Sequence, residues 1–447
     1  MTDATPAVFK DEPKLHRSIG PTQLALYGLG SMLGAGIYGL IGQAAGIAGN
    51  AVWLAFIAAL VVALLTALSY ASLISRSPRA AGAAYVAQRA YRIPMLSFVV
   101  GIAVVCSGLT SVATQSRVLA RNITENFPLG PWGLEIAGVG FLLIMAGVAF
   151  RGIRESMWMN VLCTLIEAAG LLIVIAVGFS YWGSVNLLET PKPVAGGSDL
   201  FFIIILNGAV LTFFAFLGFE DTINVAEECH SPETTLPIGL IAAMTMAAIL
   251  YIAVAITAVS VVPYGELAKA GSPLTAVVSK AAPTFPAWVF TVITVFAVAN
   301  TALVNYVTAS RLVYGMSRQG LMPTPLGRVH KTTKTPHLAI LLLLLVLIPL
   351  VLTSTVSNLA QATVLLLLTV FCVVNAALVV LKMRPGEKPG KFEVPVWVPA
   401  LGAIVCAVLI VTRVSSGDWV APALAGGMLA ATLLLYLVMR PIPFDQD

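Results

Sequence analysis

From Ser18 to Ser75 the chain contains no Asp, Glu, Lys, Arg or His, yet glycines crowd the first half of this run. The segment reads Gly28-Leu29-Gly30-Ser31-Met32-Leu33-Gly34-Ala35-Gly36-Ile37-Tyr38-Gly39. A membrane crossing takes about 20 apolar residues, so the run is long enough to cross twice. Glycine costs about 1 kcal/mol relative to alanine inside a helix. Backbone opened within a bilayer must find new hydrogen-bond partners, so it is tolerated only around a protein-lined cavity or a ligand. The first span is therefore expected to be broken in its middle. A second interrupted span, Phe213-Phe214-Ala215-Phe216-Leu217-Gly218-Phe219-Glu220-Asp221, follows about 180 residues later. Paired broken helices in two halves of a membrane protein point to a transport site between them.

Composition excludes a water-soluble globular fold. The chain is 59% hydrophobic and 10% charged, where soluble domains carry about 25% charged residues. Twelve spans are predicted, near residues 20–47, 49–75, 94–120, 131–150, 156–182, 200–228, 237–262, 285–317, 337–355, 357–382, 395–412 and 419–439. With the N-terminus on the cytoplasmic side, 19 of the 25 Lys and Arg residues fall on that face. Arg117, Arg121, Lys192, Lys269, Lys280 and Arg413 make up the other side. This bias gives the orientation, with both termini cytoplasmic in the cell membrane. No secretory signal is visible in residues 1–17. The five cysteines are scattered, without metal spacing. No P-loop appears to couple transport to a nucleotide, and no cofactor, metal or nucleic acid is expected.

At span 1 the residues resemble a family. Gly30 to Tyr38 is similar to the first-span glycine motif of the amino acid–polyamine–organocation (APC) transporters. So are Ala67-Leu68-Ser69-Tyr70-Ala71 with Ser77 to Tyr85, Phe214 to Glu228 in span 6, Ala309 to Pro323 in span 8, and Phe392-Glu393-Val394-Pro395 before span 11. The resemblance runs in family order from residue 14 to about residue 400. It implies an all-α polytopic fold of twelve helices, with spans 1–5 and 6–10 as inverted repeats and helices 1 and 6 broken. On this division residues 1–17 are a tail, 18–383 the transporter core, 384–440 the two added spans and 441–447 a second tail.

The resemblance also implies a site. The amides near Ala35 and Gly36 hold a substrate carboxylate, with Gly34 and Ser31 beside them. The carbonyls of Met32, Phe214 and Leu217 lie near the substrate amino group, and the Phe214 ring covers the pocket. The physics agrees: amides at a helix N-terminus carry partial positive charge, and glycines let a ligand approach. A β-branched side chain at Gly36 is expected to block that approach. Small residues at this spacing also serve close helix packing.

Ionisable groups inside a membrane are costly and tend to be functional or paired. Glu220 matches a glutamate tied to pH response in a family member, and it also stands where a cap of the second half-helix would. Asp221 is its neighbour. Glu167 stands in span 5 where several relatives carry lysine, so a lysine-based account of coupling does not transfer. Proton carrier, cation ligand and hydrogen-bond partner of span 1 all remain open for it. Glu227, Glu228, Arg311 and Arg318 are candidates for a cytoplasmic gate of ion pairs, or are solvated loop charge. Asn300, Thr301, Asn305 and Tyr306 are polar positions in span 8 that could line a cavity.

The expected function is secondary transport of an amino acid by alternating access, driven by protons or by exchange. A non-transporting membrane sensor of amino acids is the alternative from a different class. An enzyme is disfavoured, because no HExxH or Ser/His/Asp set appears in the spans. The expected partners are the substrate, the lipid bilayer and protons; oligomeric state is left open.

Overall fold

Helices account for nearly all of the fold. The computed structural model describes residues 19–76, 82–126, 130–151, 157–191, 201–222, 229–318, 321–330, 332, 333 and 335–439. Their helices are α1 (Pro21–Met32), α2 (Ala35–Ala48), α3 (Val52–Arg76), α4 (Ala83–Tyr91), α5 (Pro94–Asn126), α6 (Gly133–Arg151), α7 (Met157–Gly178) and α8 (Phe201–Phe216). Then come α9 (Pro232–Val261), α10 (Tyr264–Leu267), α11 (Pro273–Ala281), α12 (Ala287–Arg318), α13 (His337–Thr353), α14 (Val356–Met383), α15 (Trp397–Ser415) and α16 (Val420–Met439). Among the described residues ten segments are long and apolar enough to cross a membrane, and one of them, Ala35–Arg76, holds both α2 and α3. The apolar α13 is shorter. With α1 and α2 as one broken span, the twelve expected spans are all present, and this is a multi-pass membrane protein.

Short helices fill the gaps for legible reasons. In α4 the residues Ala83, Val86, Ala87 and Ala90 are buried along one stripe, while Arg89 stands on another face. That amphipathic pattern suits a helix lying along the membrane surface. The ends of α3, α6, α12 and α14 carry Arg76, Arg151, Arg318 and Lys382. Spans 2, 4, 8 and 10 end on one side, which we term the basic face.

Packing separates two bodies. The largest core draws its buried residues mainly from α1, α2, α3, α8, α9 and α14. A second core is built from α5, α6, α12 and α13, through residues such as Leu109, Leu142, Tyr306 and Leu347. The broken helices belong to the first body and face the second across a cavity. At the basic face, Ile19 and Cys229 form an isolated parallel bridge, with the His230 N–H donating to the Ile19 carbonyl at 3.0 Å. The residues just before span 1 are thereby tied to those following span 6.

Candidate functional site

The break in span 1 is two residues long. Leu33 is extended (φ −73°, ψ 107°), and so is Gly34 (φ −174°, ψ −144°). Gly28 and Gly30 remain helical. Gly28 serves packing instead: a Cβ there would stand 3.1 Å from that of Ala243 in α9. The freed carbonyls find donors on distant helices. Tyr251 of α9 donates to the Met32 carbonyl at 2.8 Å, and Thr301 of α12 donates to that of Leu33 at 3.0 Å. The first turn of α2 begins at Ala35, and its amides have no acceptor within the helix. Those of Ala35 and Gly36 point back along the axis to the break.

Gly36 has a second duty. A Cβ there would run into the backbone of Ala215 in α8. Valine at this position would part α2 from α8 as well as crowd the cavity, so it does not test a carboxylate site cleanly. Gly34 faces α12, where an added Cβ would meet Thr301 Oγ1 at 2.6 Å.

The break in span 6 is built differently. α8 ends at Phe216, Gly218 adopts φ +112°, and residues 219–222 form one tight turn. Positive φ of this size favours glycine. The same residue lies against the Ser31 backbone, leaving no room for a Cβ. The Gly218 N–H donates to Glu220 Oε2 at 2.9 Å, so the carboxylate caps its own break. Tyr251 joins the two breaks, because its hydroxyl also lies 2.9 Å from the Ala215 carbonyl. Phe56 and Phe216 hold its ring, at centroid distances of 5.8 and 5.3 Å.

Both breaks open onto one cavity of about 60 Å³. Ser31, Met32, Gly34, Ala35, Gly36, Phe214, Leu217, Glu220 and Asp221 all line it. The Ser31 hydroxyl is turned back onto the Tyr27 carbonyl. Of the four polar positions in span 8, Thr301 and Asn305 reach the cavity. Asn300 turns to Glu167, and Tyr306 donates to the Ile340 carbonyl. The opposite wall was not foreseen: Ser107, Gly108, Ser111 and Gln115 of α5, with Thr363 and Leu367 of α14. Ser107, Ser111 and Gln115 recur every four residues, a helical stripe that the sequence does display, although Thr110, Thr114, Ser116 and Arg117 are polar beside it.

The cavity lining extends from the breaks toward the basic face, through Val104 on α5 and Leu312 on α12, both partly exposed. The other side is packed shut. Gly39 lies against Val118, Gly42 against the Leu267 carbonyl, and Gly46 against Ala268. Beyond them, Asn50 and Trp53 donate to Glu189 Oε2 and the Leu187 carbonyl, which fastens the segment after α7 over the α2–α3 junction.

Glu167 stands apart from the cavity lining. It is fully buried on α7, where Oε1 accepts from Asn300 Nδ2 at 3.0 Å. Its backbone carbonyl accepts from the Tyr38 hydroxyl of α2 at 2.5 Å. Oε2 has no hydrogen-bond partner. The carboxyl therefore contacts α12 while its backbone contacts α2, and half of its hydrogen-bonding capacity is unused.

The gate candidates do not assemble among the described residues. Glu227 and Glu228 lie outside them. Arg311 and Arg318 are exposed and form no ion pair there. The ionic cluster of this face centres instead on Glu393, between α14 and α15. It pairs with Arg76 of α3 at 2.7 Å and with Lys382 of α14, and it accepts from Ser72 and from the Gly390 N–H. Burial alone would raise the pKa of Glu393, but the hydrogen bonds from Arg76, Lys382 and Gly390, with the Arg76 charge, outweigh it and hold the carboxyl at about 2. Arg89 pairs with Glu387 in the same loop, and Lys391 with Glu233 of α9.

The sequence is similar to known proteins. The sequence model of the amino acid permease family matches residues 19–438. A branched-chain amino acid permease of Bacillus subtilis is 28% identical over 431 residues, covering 90% of both chains. A methylthioribose transporter of the same organism is 28% identical, covering 88% of this chain and 87% of its own. The chloroplastic cationic amino acid transporter 9 of Arabidopsis thaliana is 30% identical over 71% of this chain and 58% of its own length.

Proposed function

The chain belongs to the amino acid permease family, and we propose that it is a secondary transporter that carries an amino acid across the cell membrane by alternating access. The observation that carries this reading is the meeting of two interrupted helices over one cavity. The free amides at the start of α2 suit a carboxylate. Carbonyls of the breaks, together with Glu220 and Asp221, suit an ammonium group, and Phe214 stands as the aromatic cover. The Met32 carbonyl already accepts from Tyr251, but its second lone pair is available to a substrate.

The two packed bodies supply the moving parts. On this reading the extension of the cavity toward the basic face, which we assign to the cytoplasm, is the path open to substrate. Rocking the body that carries the broken helices against α5, α6, α12 and α13 would close that path. It would open the small-residue seams at Gly39, Gly42 and Gly46. Coupling to protons is assigned to Glu167 first, because its carboxyl is buried between α2 and α12 with an unused oxygen. Glu220 and Asp221 are the rivals.

The test is accumulation of a labelled amino acid in proteoliposomes at pH 6 and pH 8. The wild type should accumulate substrate with an inward proton gradient. Glu167→Gln should retain exchange and lose accumulation, while Glu220→Gln keeps both. If Glu220→Gln alone loses accumulation, the coupling role moves to Glu220. If neither variant changes the pH dependence, proton coupling is wrong and exchange replaces it. Binding without any flux would instead favour a sensor.

A further inference from the structure

The α5 wall of the cavity holds a polar group that nothing among the described residues satisfies. Gln115 is 1% exposed and lines the cavity. Its Nε2 donates to Ser111 Oγ at 3.1 Å, and its Oε1 has no partner. Turning the amide over would exchange the two atoms and leave the nitrogen unpartnered, so one polar atom is left over in either orientation. Asn305 of α12 donates to the same Ser111 oxygen at 3.0 Å. Both lone pairs of that hydroxyl are then engaged, and its proton is still to be given. A buried amide oxygen without a partner costs about 1–3 kcal/mol. A cluster offering one acceptor and one donor at a cavity wall is suited to a ligand that supplies the complements.

Its position limits what that ligand is. Thr301 touches the break at Leu33, and Asn305 is one turn further along α12. Four residues of helix advance about 6 Å. A hydroxyl or carboxamide on a short side chain, two or three bonds from an amino acid's α-carbon, spans that interval together with one hydrogen bond. Gly108 faces Ala309 beside the cluster, with only ordinary contact for an added Cβ at 3.5 Å, so the lateral space is small. The cavity's 60 Å³ corresponds to about five waters at 10–15 Å³ each. Gln115, Ser111 and Asn305 are themselves uncharged, which suits a neutral polar side chain better than a cationic one.

We propose that Gln115, Ser111 and Asn305 form the selectivity element for the substrate side chain, and that the preferred substrates are small amino acids ending in a hydroxyl or carboxamide. This rests on the reading of the cavity as the transport site. A site built to hydrogen-bond a substrate group rejects the apolar isostere strongly, because the site's own polar atoms are left unpaired. Threonine and valine are such a pair, and asparagine and leucine are nearly so.

The experiment measures binding of threonine, valine, asparagine, leucine and arginine to the purified protein by thermal shift and calorimetry. Wild type should prefer threonine to valine, and asparagine to leucine, by about 10-fold or more. Gln115→Leu and Ser111→Ala should each bring the threonine-to-valine ratio toward one. A wild-type ratio of one or below, or arginine as the tightest ligand, overturns the inference whether or not the variants fold. So does a Gln115→Leu variant that weakens threonine and valine equally. Binding of no amino acid at all overturns the transport-site reading as well, which distinguishes the two failures.

Discussion

The two broken spans solve one problem in opposite ways. Span 1 opens only Leu33 and Gly34, resumes as a helix at once, and takes its hydrogen bonds from α9 and α12. Span 6 opens at a glycine with positive φ and caps itself with Glu220, two residues on. The first break depends on the surrounding bundle, and the second is largely self-contained. The two breaks are therefore a shared outcome, reached through long-range partners at one and local chemistry at the other.

Substitutions can break or sharpen that contrast. The largest loss is expected for Gly218→Ala, which needs a strained φ and drives a Cβ into Ser31; we expect about 3 kcal/mol or more. Yield and melting temperature in detergent would report it. Gly34→Ala should cost less, about 1–3 kcal/mol, because Gly34 is extended and meets only the Thr301 side chain. Adding Thr301→Ala should then recover part of the loss. Equal damage from the two alanines, with no recovery, would erase the distinction.

Tyr251→Phe should cost about 1–2 kcal/mol, since it removes the donor shared by both breaks. Glu220→Gln should cost under about 1 kcal/mol, because the amide oxygen still accepts from Gly218. A melting-temperature series in the reverse order would show that the second break is the dependent one.

The smallest effect on transport is expected from the Glu393 cluster. Its folded pKa of about 2 lies below the unfolded value of about 4.3. Its contribution to stability is thus fully present above the unfolded value and is lost as pH falls through about 2. Glu393→Gln should lower the melting temperature without changing how uptake varies between pH 6 and pH 8. A shifted uptake profile would relocate pH sensing to the basic face.

The sequence made the existence of both breaks legible through the glycine cluster of span 1 and through Gly218 followed by two acids in span 6. It did not locate them to the residue, because packing glycines and unwinding glycines look alike. Gly28 and Gly36 are buried against neighbouring helices, and only Gly34 lies in the opening. Phe214 stands out in the sequence only through the family resemblance, whereas Glu220 and Asp221 also stand out as carboxyl groups within a span; all three line the cavity. The α5 wall carries no charge to mark it: Ser107, Ser111 and Gln115 are uncharged, and only their four-residue spacing points to a common face. The ion-pair partners of Glu393 come from segments far apart in sequence, and no local pattern selects Arg76 among the basic residues of that face.

Borrowed hydrogen bonds also have a schedule. The Met32 carbonyl waits for a tyrosine 219 residues downstream, and the Leu33 carbonyl for a threonine 268 residues downstream. At synthesis rates of about 5–20 residues per second, these donors emerge roughly 10–50 s after span 1. During that interval the opened backbone has neither partner, while the break in span 6 receives its cap within two residues. Of the two broken spans the first is therefore the more exposed during synthesis, and slowing translation should lower yield through it before the second.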